Sequence, residues 1–206
     1  MESTKNKYKD IIKEFQKIGR AIFLAGLNNS HSGNISVRVG NKILITRRTS
    51  MLGFLEEKDI IETGIEHNDS GITLASTEIG VHRAIYKGTS ALAIIHTHPL
   101  TAVSLSFLYD EIIPIDVEGS YILRKIPVAE FEFGTSSKEM EEVLPGLLKN
   151  YKIVLVRGHG SFAIGHYLEE ALHYASTLEN IAQIIYRYKM LGGNVEKLQK
   201  RALIAW

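Results

Sequence analysis

Two histidines one residue apart, His96 and His98, follow directly on the apolar run of residues 91–95. In an extended segment alternate side chains lie on the same face, so both imidazoles can point at one metal ion. Functional side chains commonly collect where a buried strand ends. A His-Thr-His pair alone is nevertheless more often incidental than a ligand set, so a metal site requires further ligands from elsewhere in the chain.

A third histidine, His159, lies between Gly158 and Gly160, again directly after a predicted buried strand, residues 152–156. The glycines allow the backbone to approach a ligand closely, and a histidine between them has almost no local packing role. The alternative is a glycine turn that carries an exposed histidine.

The stretch Ala75-Ser76-Thr77-Glu78 opens a predicted helix that ends at Gly88. Ser76 or Thr77 is predicted to cap this helix, and Glu78 in its first turn suits the helix dipole. A sharper interpretation is that the free amides and both hydroxyls bind an anion such as phosphate, with Glu78 as a metal ligand or a base. Glu78 and His82 are four residues apart and could instead form a two-ligand pair.

The remaining stretch, Ser32-Gly33-Asn34-Ile35-Ser36, is a weak signal by itself because such turns are common. The chain has no cysteine, so histidine and carboxylate must hold any metal. Three histidines with one carboxylate fit a tetrahedral Zn²⁺ site or a roomier Mn²⁺ or Co²⁺ site. Such a site polarises a carbonyl and stabilises an enolate.

The composition is that of an ordinary soluble globular protein: 206 residues, 45% hydrophobic and 23% charged. A net charge of +1 neither requires nor excludes an anionic partner. No apolar run approaches the roughly 20 residues that span a bilayer, and the first ten residues do not form a signal peptide. We therefore expect one cytoplasmic domain, residues 1–206, that binds neither nucleic acid nor membrane.

The elements that must position these residues are helices interleaved with strands. Helices are predicted at about residues 11–26, 76–88, 99–108, 136–149 and 168–191, with a break near Pro145. Strands are predicted at residues 35–39 and 42–46, as a hairpin, and at residues 91–96, 111–116, 125–131 and 152–156. This order favours a central, largely antiparallel sheet that is covered on both faces.

The ordered set SGNIS, ASTE, HTHP and GHG resembles the class II aldolase/adducin family, typified by L-fuculose-phosphate aldolase, over about residues 15–192. The resemblance implies a three-layer α/β/α domain with a central mixed, mainly antiparallel sheet. It also implies a cyclic homotetramer with active sites between subunits. The implied activity is a zinc-dependent aldolase of carbohydrate metabolism. It would cleave a ketose 1-phosphate to dihydroxyacetone phosphate and an aldehyde such as lactaldehyde.

Carried over by position, the resemblance makes His96, His98 and His159 the metal ligands, with Zn²⁺ as the expected ion and Mn²⁺ or Co²⁺ as alternatives. Glu78 becomes a fourth ligand that can leave the metal and serve as the catalytic acid/base. His82 matches a position that is not a ligand, which implies a structural role.

The resemblance also implies a phosphate pocket formed by Gly33, Asn34, Ser76 and Thr77. A family loop that contains Pro and Gly is replaced here by residues 45–50, ITRRTS. Arg48, beside Arg47, becomes a candidate phosphate ligand through bidentate hydrogen bonds. Alternatively, these arginines are solvated or pair across a subunit interface.

The family's proton donor, a tyrosine from a neighbouring subunit, precedes a Phe-Gly-Thr motif. Here residues 133–135 are Phe-Gly-Thr, and the corresponding position is Glu130. A carboxylate can donate the proton if partial burial raises its pKa. Tyr121 and Glu118 are the other candidates.

Three other functions stay open. A dehydratase of the methylthioribulose-1-phosphate type shares the Glu and the His-x-His spacing. A pentulose-phosphate 4-epimerase usually has Asp in place of Glu78 and a His-x-x-His spacing. The third alternative is not an enzyme: the chain could be an adducin-like oligomerisation module. The C-terminal segment that ends at Trp206 is a candidate flap over a neighbouring site, or packs on its own helix.

Overall fold

An eight-stranded sheet forms the middle layer of the structure, a computed structural model that describes residues 8–199. The strands are β1 (Asn34–Val39), β2 (Lys42–Thr46), β3 (Ile60–Gly64), β4 (Ala93–Thr97), β5 (Glu111–Ile112), β6 (Ile126–Ala129), β7 (Ile153–Val156) and β8 (Gly160–Gly165). Their order across the sheet is β3-β2-β1-β4-β8-β7-β6-β5. Neighbours are antiparallel except β6 and β7, which confirms the mixed, mainly antiparallel sheet.

Helices cover both faces of the sheet. They are α1 (Lys9–Leu24), α2 (Ile79–Gly88), α3 (Leu100–Ser106), α4 (Val117–Ile122), α5 (Lys138–Leu148) and α6 (Leu168–Met190). Helices α1, α3 and α6 share one apolar core with the sheet, and α2 and α5 share a second core on the opposite face. The three-layer α/β/α prediction is therefore confirmed. No helix in residues 8–199 combines the length and apolar composition that crossing a membrane requires.

The central strand β4 is buried along its whole length because helices cover both faces. Its side chains alternate between the two cores: Ile95 faces the α1/α3/α6 layer, and Ile94 faces the α2/α5 layer. His96 is two residues after Ile94 and so lies on the α2/α5 side of the sheet. This burial explains why the sequence shows a continuous apolar run instead of an alternating one.

The chain reversals follow the predicted glycines. Gly40, with φ +60°, and Asn41 turn the β1–β2 hairpin, in which Val39 pairs with Lys42. Gly26 and Gly192 also have positive φ, just after α1 and α6. The predicted ends of these two helices are confirmed.

The prediction that Ser76 or Thr77 caps α2 was wrong. The helix begins at Ile79, and Glu78 occupies the cap position without a capping side-chain hydrogen bond. The Ser76 amide donates to the Thr46 carbonyl, and Arg47 forms an isolated bridge with Ala75. The segment before α2 is therefore held by the sheet, and the Ser76 hydroxyl accepts a hydrogen bond from the amide of Glu78, the residue just before the helix, at 3.3 Å.

The predicted break near Pro145 was also wrong, because α5 runs through this residue from Lys138 to Leu148. One face of α5 is buried through Met140, Leu144 and Leu148. Pro145 packs against Gly88 of α2, where an added Cβ would lie 2.5 Å from the Cβ of Pro145. Proline removes one backbone hydrogen bond, and this close helix packing offsets that loss. The C-terminal segment with Trp206 lies outside the described residues.

Candidate active site and metal centre

Four segments meet on the α2/α5 side of the sheet: the start of β1, the end of β4, the start of β8 and the start of α2. The antiparallel register pairs Asn34 of β1 with His96 of β4, and His96 with Phe162 of β8. His96 therefore lies at the end of β4, and His98 follows it two residues later. His159 lies in the turn before β8.

The three histidines predicted as metal ligands form one cluster. One ring nitrogen from each of His96, His98 and His159 lies within 4.8 Å of the other two. The Nε2 atoms of His96 and His98 are 2.9 Å apart. Such spacing brings three imidazole lone pairs to a common point, as a metal ion requires.

Hydrogen bonding and burial both keep this cluster in the form that binds metal. His96 Nδ1 lies 3.0 Å from the carbonyl oxygen of Ser161, so it carries the proton and leaves the Nε2 lone pair free. Burial lowers the pKa of His96 well below its usual value, and His98 and His159 lower it further. Burial also lowers the pKa of His98 to about 4, and lowers that of His159. Neutral imidazole is the form that coordinates a cation, so the residues fit a divalent metal.

Glu78 completes the donor set from the start of α2. Its side chain is buried; Oε1 accepts hydrogen bonds from the Ser136 amide and hydroxyl, both at 3.2 Å. Oε2 is buried without a hydrogen-bond partner among residues 8–199 and lies 4.0 Å from His96 Nε2. Burial raises the pKa of Glu78, while the hydrogen bonds from Ser136 and Thr135 oppose that rise. A buried, unpaired carboxylate oxygen beside three neutral imidazoles is suited to metal ligation or proton abstraction.

Gly160 allows the three rings to approach one another. A Cβ at this position would lie 2.4 Å from the Thr97 carbonyl oxygen and 2.9 Å from the His98 ring. Gly158 has φ +68°, a conformation that side-chain-bearing residues rarely adopt. Glycine is therefore required at position 160 by the lack of space for a side chain, and at position 158 by the positive φ angle.

Two residues that contact the histidine cluster, and one that holds the helix after His98, were not predicted. Phe162 stacks on the His96 ring, with centroids 4.2 Å apart. Asn28 Oδ1 accepts a hydrogen bond from the His98 amide at 2.7 Å. Glu179 of α6 accepts hydrogen bonds from the Thr101 and Ala102 amides at the start of α3. Only Phe162 had a sequence signal, as an apolar residue in a strand; the other two act across long sequence separations.

A cavity of about 390 Å³ opens beside the three-histidine cluster. It is lined by all the predicted phosphate-contact residues, Gly33, Asn34, Arg48, Ser76 and Thr77, together with the four predicted metal ligands. Asn34 Oδ1 is buried and has no hydrogen-bond partner among the described residues. A Cβ on Gly33 would lie 2.5 Å from the His96 carbonyl oxygen, so the turn approaches the cluster closely.

The loop of residues 45–50, which differs in sequence from the corresponding family loop, carries two arginines with different environments. Arg47 donates through Nε and Nη2 to Oδ1 of the buried Asp59, at 2.9 and 2.8 Å. Both arginines line the cavity, but Arg48 is exposed and its side chain makes no hydrogen bond or ion pair within residues 8–199. Arg47 is therefore engaged within the fold, and Arg48 is available to an anion.

The structure does not bring the candidate proton donors to this cavity. Glu130 is exposed, and its Oε2 lies 2.8 Å from Arg157 Nε. Glu118 is exposed on α4, and Tyr121 lines a separate cavity of about 610 Å³ with Arg124. Within a single chain, none of the three lines the cavity that contains the histidine cluster.

His82 lies outside the metal cluster, in a separate buried network. Its Nδ1 is 2.6 Å from Ser36 Oγ, which is 2.7 Å from the Tyr86 hydroxyl. Burial lowers the pKa of His82 to about 3. These contacts agree with the structural role implied for His82.

Comparisons with known proteins agree in family and fold. A family model described as the Class II Aldolase and Adducin N-terminal domain matches residues 13–186. The L-fuculose phosphate aldolase of Methanocaldococcus jannaschii is 32% identical over 173 residues, 84% of this chain and 93% of that protein. That of Escherichia coli is 33% identical over 168 residues, 77% of this chain and 74% of that protein.

A solved structure supports the same relationship. The crystal structure of L-fuculose-1-phosphate aldolase from Thermus thermophilus matches with a TM-score of 0.84 and 33% identity. The match covers 88% of this chain and 95% of that one.

Proposed function

Because the chain belongs to the class II aldolase and adducin family and is a lyase of that family, we propose that it reversibly cleaves a ketose 1-phosphate. The proposed substrate resembles L-fuculose 1-phosphate, and the products are dihydroxyacetone phosphate and an aldehyde such as lactaldehyde. One observation carries this proposal: the unpaired Oε2 of Glu78 lies beside three clustered imidazoles, at a cavity lined by the phosphate candidates. We also propose that the reaction takes place in the cytoplasm, where the charge of a phosphorylated sugar prevents its diffusion out through the bilayer.

The proposed metal is Zn²⁺, held by His96, His98 and His159, with Mn²⁺ or Co²⁺ as alternatives. Neutral imidazoles and a carboxylate are a donor set that zinc prefers. When bound, the cation supplies a Lewis acid that polarises the ketose carbonyl.

The phosphate group of the substrate is proposed to bind in the same cavity as the histidine cluster. The hydroxyls of Ser76 and Thr77 and the Asn34 amide group donate hydrogen bonds to it, and the Gly33 turn lets the backbone approach closely. Arg48 adds a bidentate, charged contact. These hydrogen bonds hold the reacting carbons of the substrate beside the histidine cluster.

Proton transfer at the reacting carbon is assigned to Glu78. In the condensing direction, Oε2 of Glu78 removes a proton from C3 of dihydroxyacetone phosphate, the hydroxymethyl carbon that bears no phosphate, and in the cleavage direction it returns that proton. Burial raises the pKa of Glu78, which makes its carboxylate a stronger base.

The second proton, which is delivered to the aldehyde oxygen during condensation, is assigned to Glu130. Because Glu130 is exposed and lies beside Arg157 in its own chain, this role requires a neighbouring subunit. We therefore also propose a homotetramer with active sites between subunits, with Glu118 and Tyr121 as alternative donors.

The test combines metal analysis with a coupled assay for dihydroxyacetone phosphate released from L-fuculose 1-phosphate. We expect stoichiometric zinc and cleavage for the wild type, and loss of both for His96→Ala. The matched control is His166→Ala, because His166 is exposed and lies outside the cavity, so zinc and activity stay unchanged. No cleavage or synthesis of ketose phosphates, with unchanged metal content in His96→Ala, would refute the proposal.

The same assay separates the alternatives. A dehydratase shares Glu78 and the His-x-His ligands but releases no dihydroxyacetone phosphate. An epimerase converts one pentulose phosphate to another without net release. An adducin-like module carries no stoichiometric zinc and gains no thermal stability from it.

A further inference from the structure

The connection between β6 and α5 reaches the metal cluster through residues 134–136, which we call the Ser136 loop. Thr135 lines the cavity, and a Cβ on Gly134 would lie 3.9 Å from the Cβ of His159. The loop is therefore in contact with the same site as Glu78 and the histidines, although it comes from a different part of the chain.

Ser136 directs two donors at one carboxylate oxygen. Its amide and its hydroxyl both lie 3.2 Å from Oε1 of Glu78. Ser136 has φ +50°, the left-handed region that residues with a side chain rarely adopt. Such strained positions persist where surrounding contacts hold them and are common at functional sites.

These contacts hold Glu78 at the border of the cluster. Among residues 8–199, the group of donor atoms that lie within 4.8 Å of one another contains the three histidines but not Glu78. Glu78 Oε2 is 4.0 Å from His96 Nε2, while Oε1 is engaged by Ser136. The carboxylate is thus near enough to reach a bound cation but is retained by the loop.

We propose that Ser136 is a positioning residue whose amide and hydroxyl hold the Glu78 carboxylate back from the three-histidine cluster. One coordination position then stays open for substrate, and the carboxylate is kept free to act as a base. This inference rests on the proposed metal-dependent aldolase function and adds a residue that controls access to the metal.

Removing the Ser136 hydroxyl is expected to raise the affinity of the site for zinc. A hydrogen bond to a charged group is equivalent to about a tenfold change in an equilibrium constant. Without it, Glu78 moves more readily onto the cation and becomes a fourth ligand. Zinc affinity therefore rises, whereas general damage to the site lowers it.

The experiment measures zinc affinity of the metal-free full chain by competition with a chromophoric chelator. The variants are Ser136→Ala and Ser136→Gly. Both lose the hydroxyl, but alanine keeps the strain at positive φ, and glycine relieves it. We expect both to bind zinc about threefold to tenfold more tightly than the wild type, with a lower kcat for cleavage.

The matched control is Ser137→Ala. The adjacent Ser137 hydroxyl caps α5 by accepting a hydrogen bond from the Met140 amide and makes no contact with Glu78 in the structure. This variant is expected to melt at a lower temperature with unchanged zinc affinity.

A double-mutant cycle assigns the effect to Glu78. In the Glu78→Gln background, Ser136→Ala should no longer increase zinc affinity. Unchanged or weaker zinc binding by Ser136→Ala, or a gain that persists in Glu78→Gln, overturns the positioning role. The cycle uses zinc without substrate, so it decides the role of Ser136 even if the ketose-phosphate assay fails. A wild type that binds no zinc overturns both proposals.

Discussion

Two buried histidines on the same side of the sheet, His96 and His82, differ in what surrounds them. Both contact Phe162, both are almost fully buried, and burial lowers the pKa of each. His96 meets two further imidazoles and an unpaired carboxylate oxygen. His82 meets the hydroxyl of Ser36, which also contacts Tyr86.

Burial and a lowered pKa therefore do not by themselves identify a metal ligand. Both properties follow from removing an imidazole from water. His82 Nε2 is also buried without a hydrogen-bond partner among the described residues, so an unpaired nitrogen does not separate the two histidines either. The convergence of three imidazoles and a carboxylate oxygen on one point distinguishes the cluster around His96. Three predictions test this distinction.

The largest effect is expected for Glu78→Gln, which keeps the shape of the side chain and removes the base. The cleavage rate should fall by about 10²–10⁴-fold, the usual contribution of a general base. Zinc should remain bound, because the three histidines are unchanged. Steady-state kinetics with parallel metal analysis measure both quantities. An activity loss of less than about threefold, far below that contribution, would remove Glu78 from the chemistry.

A smaller effect is expected at Arg48, which lines the cavity together with Arg47 but, unlike Arg47, has no side-chain partner within residues 8–199. Arg48→Ala should raise KM for the ketose phosphate about tenfold, the scale of one charge-assisted hydrogen bond, with little change in unfolding free energy. Arg47→Ala is the matched control, because it leaves the buried Asp59 unpaired and should lower unfolding free energy by about 1–3 kcal/mol. Equal effects of both substitutions on KM would contradict the separate roles of the two arginines.

The smallest effect is expected at His82, on stability rather than on chemistry. The pKa of His82 in the folded protein is about 3, below its ordinary value of 6.5, so the unfolded chain binds more protons between these pH values. Its contribution to stability is therefore complete above about pH 6.5 and decreases as the pH falls toward 3. His82→Gln should reduce the slope of unfolding free energy against pH by about 1 kcal/mol per pH unit in this window.

Denaturant unfolding at several pH values measures that slope. His82→Gln should also retain stoichiometric zinc, unlike the His96 variant. Loss of zinc from folded His82→Gln would show that the two histidines belong to one functional unit.

The approximate positions of the predicted metal ligands and phosphate residues could be inferred from sequence because each lies beside an element with a strong local pattern. Their predicted roles came from the resemblance of the ordered motifs to the aldolase family. His96 ends a continuous apolar strand, His159 lies between glycines, and Glu78 precedes a periodic helix. Local periodicity and turn chemistry position these residues, so their approximate placement is encoded nearby.

Ser136, Asn28 and Glu179 could not be found in that way. Each acts on a residue 58 to 78 positions distant, through hydrogen bonds that depend on tertiary packing. The errors at Ser76 and Pro145 have the same cause. Sheet contacts before α2 and the fit of Pro145 against Gly88 outweighed the local preferences for a cap and a helix break.

The position of β4 between β1 and β8 has a consequence for when the site forms. His96 belongs to the backbone ladder at the centre of the sheet, paired on one side with Asn34 and on the other with Phe162. Opening this part of the site requires breaking backbone hydrogen bonds to strands on both sides, whereas the connection that carries Ser136 is not part of the sheet and is expected to open at lower cost. The metal ligand on β4 is therefore assembled with the sheet during folding, and the connecting segments remain to be adjusted by evolution without rebuilding the core.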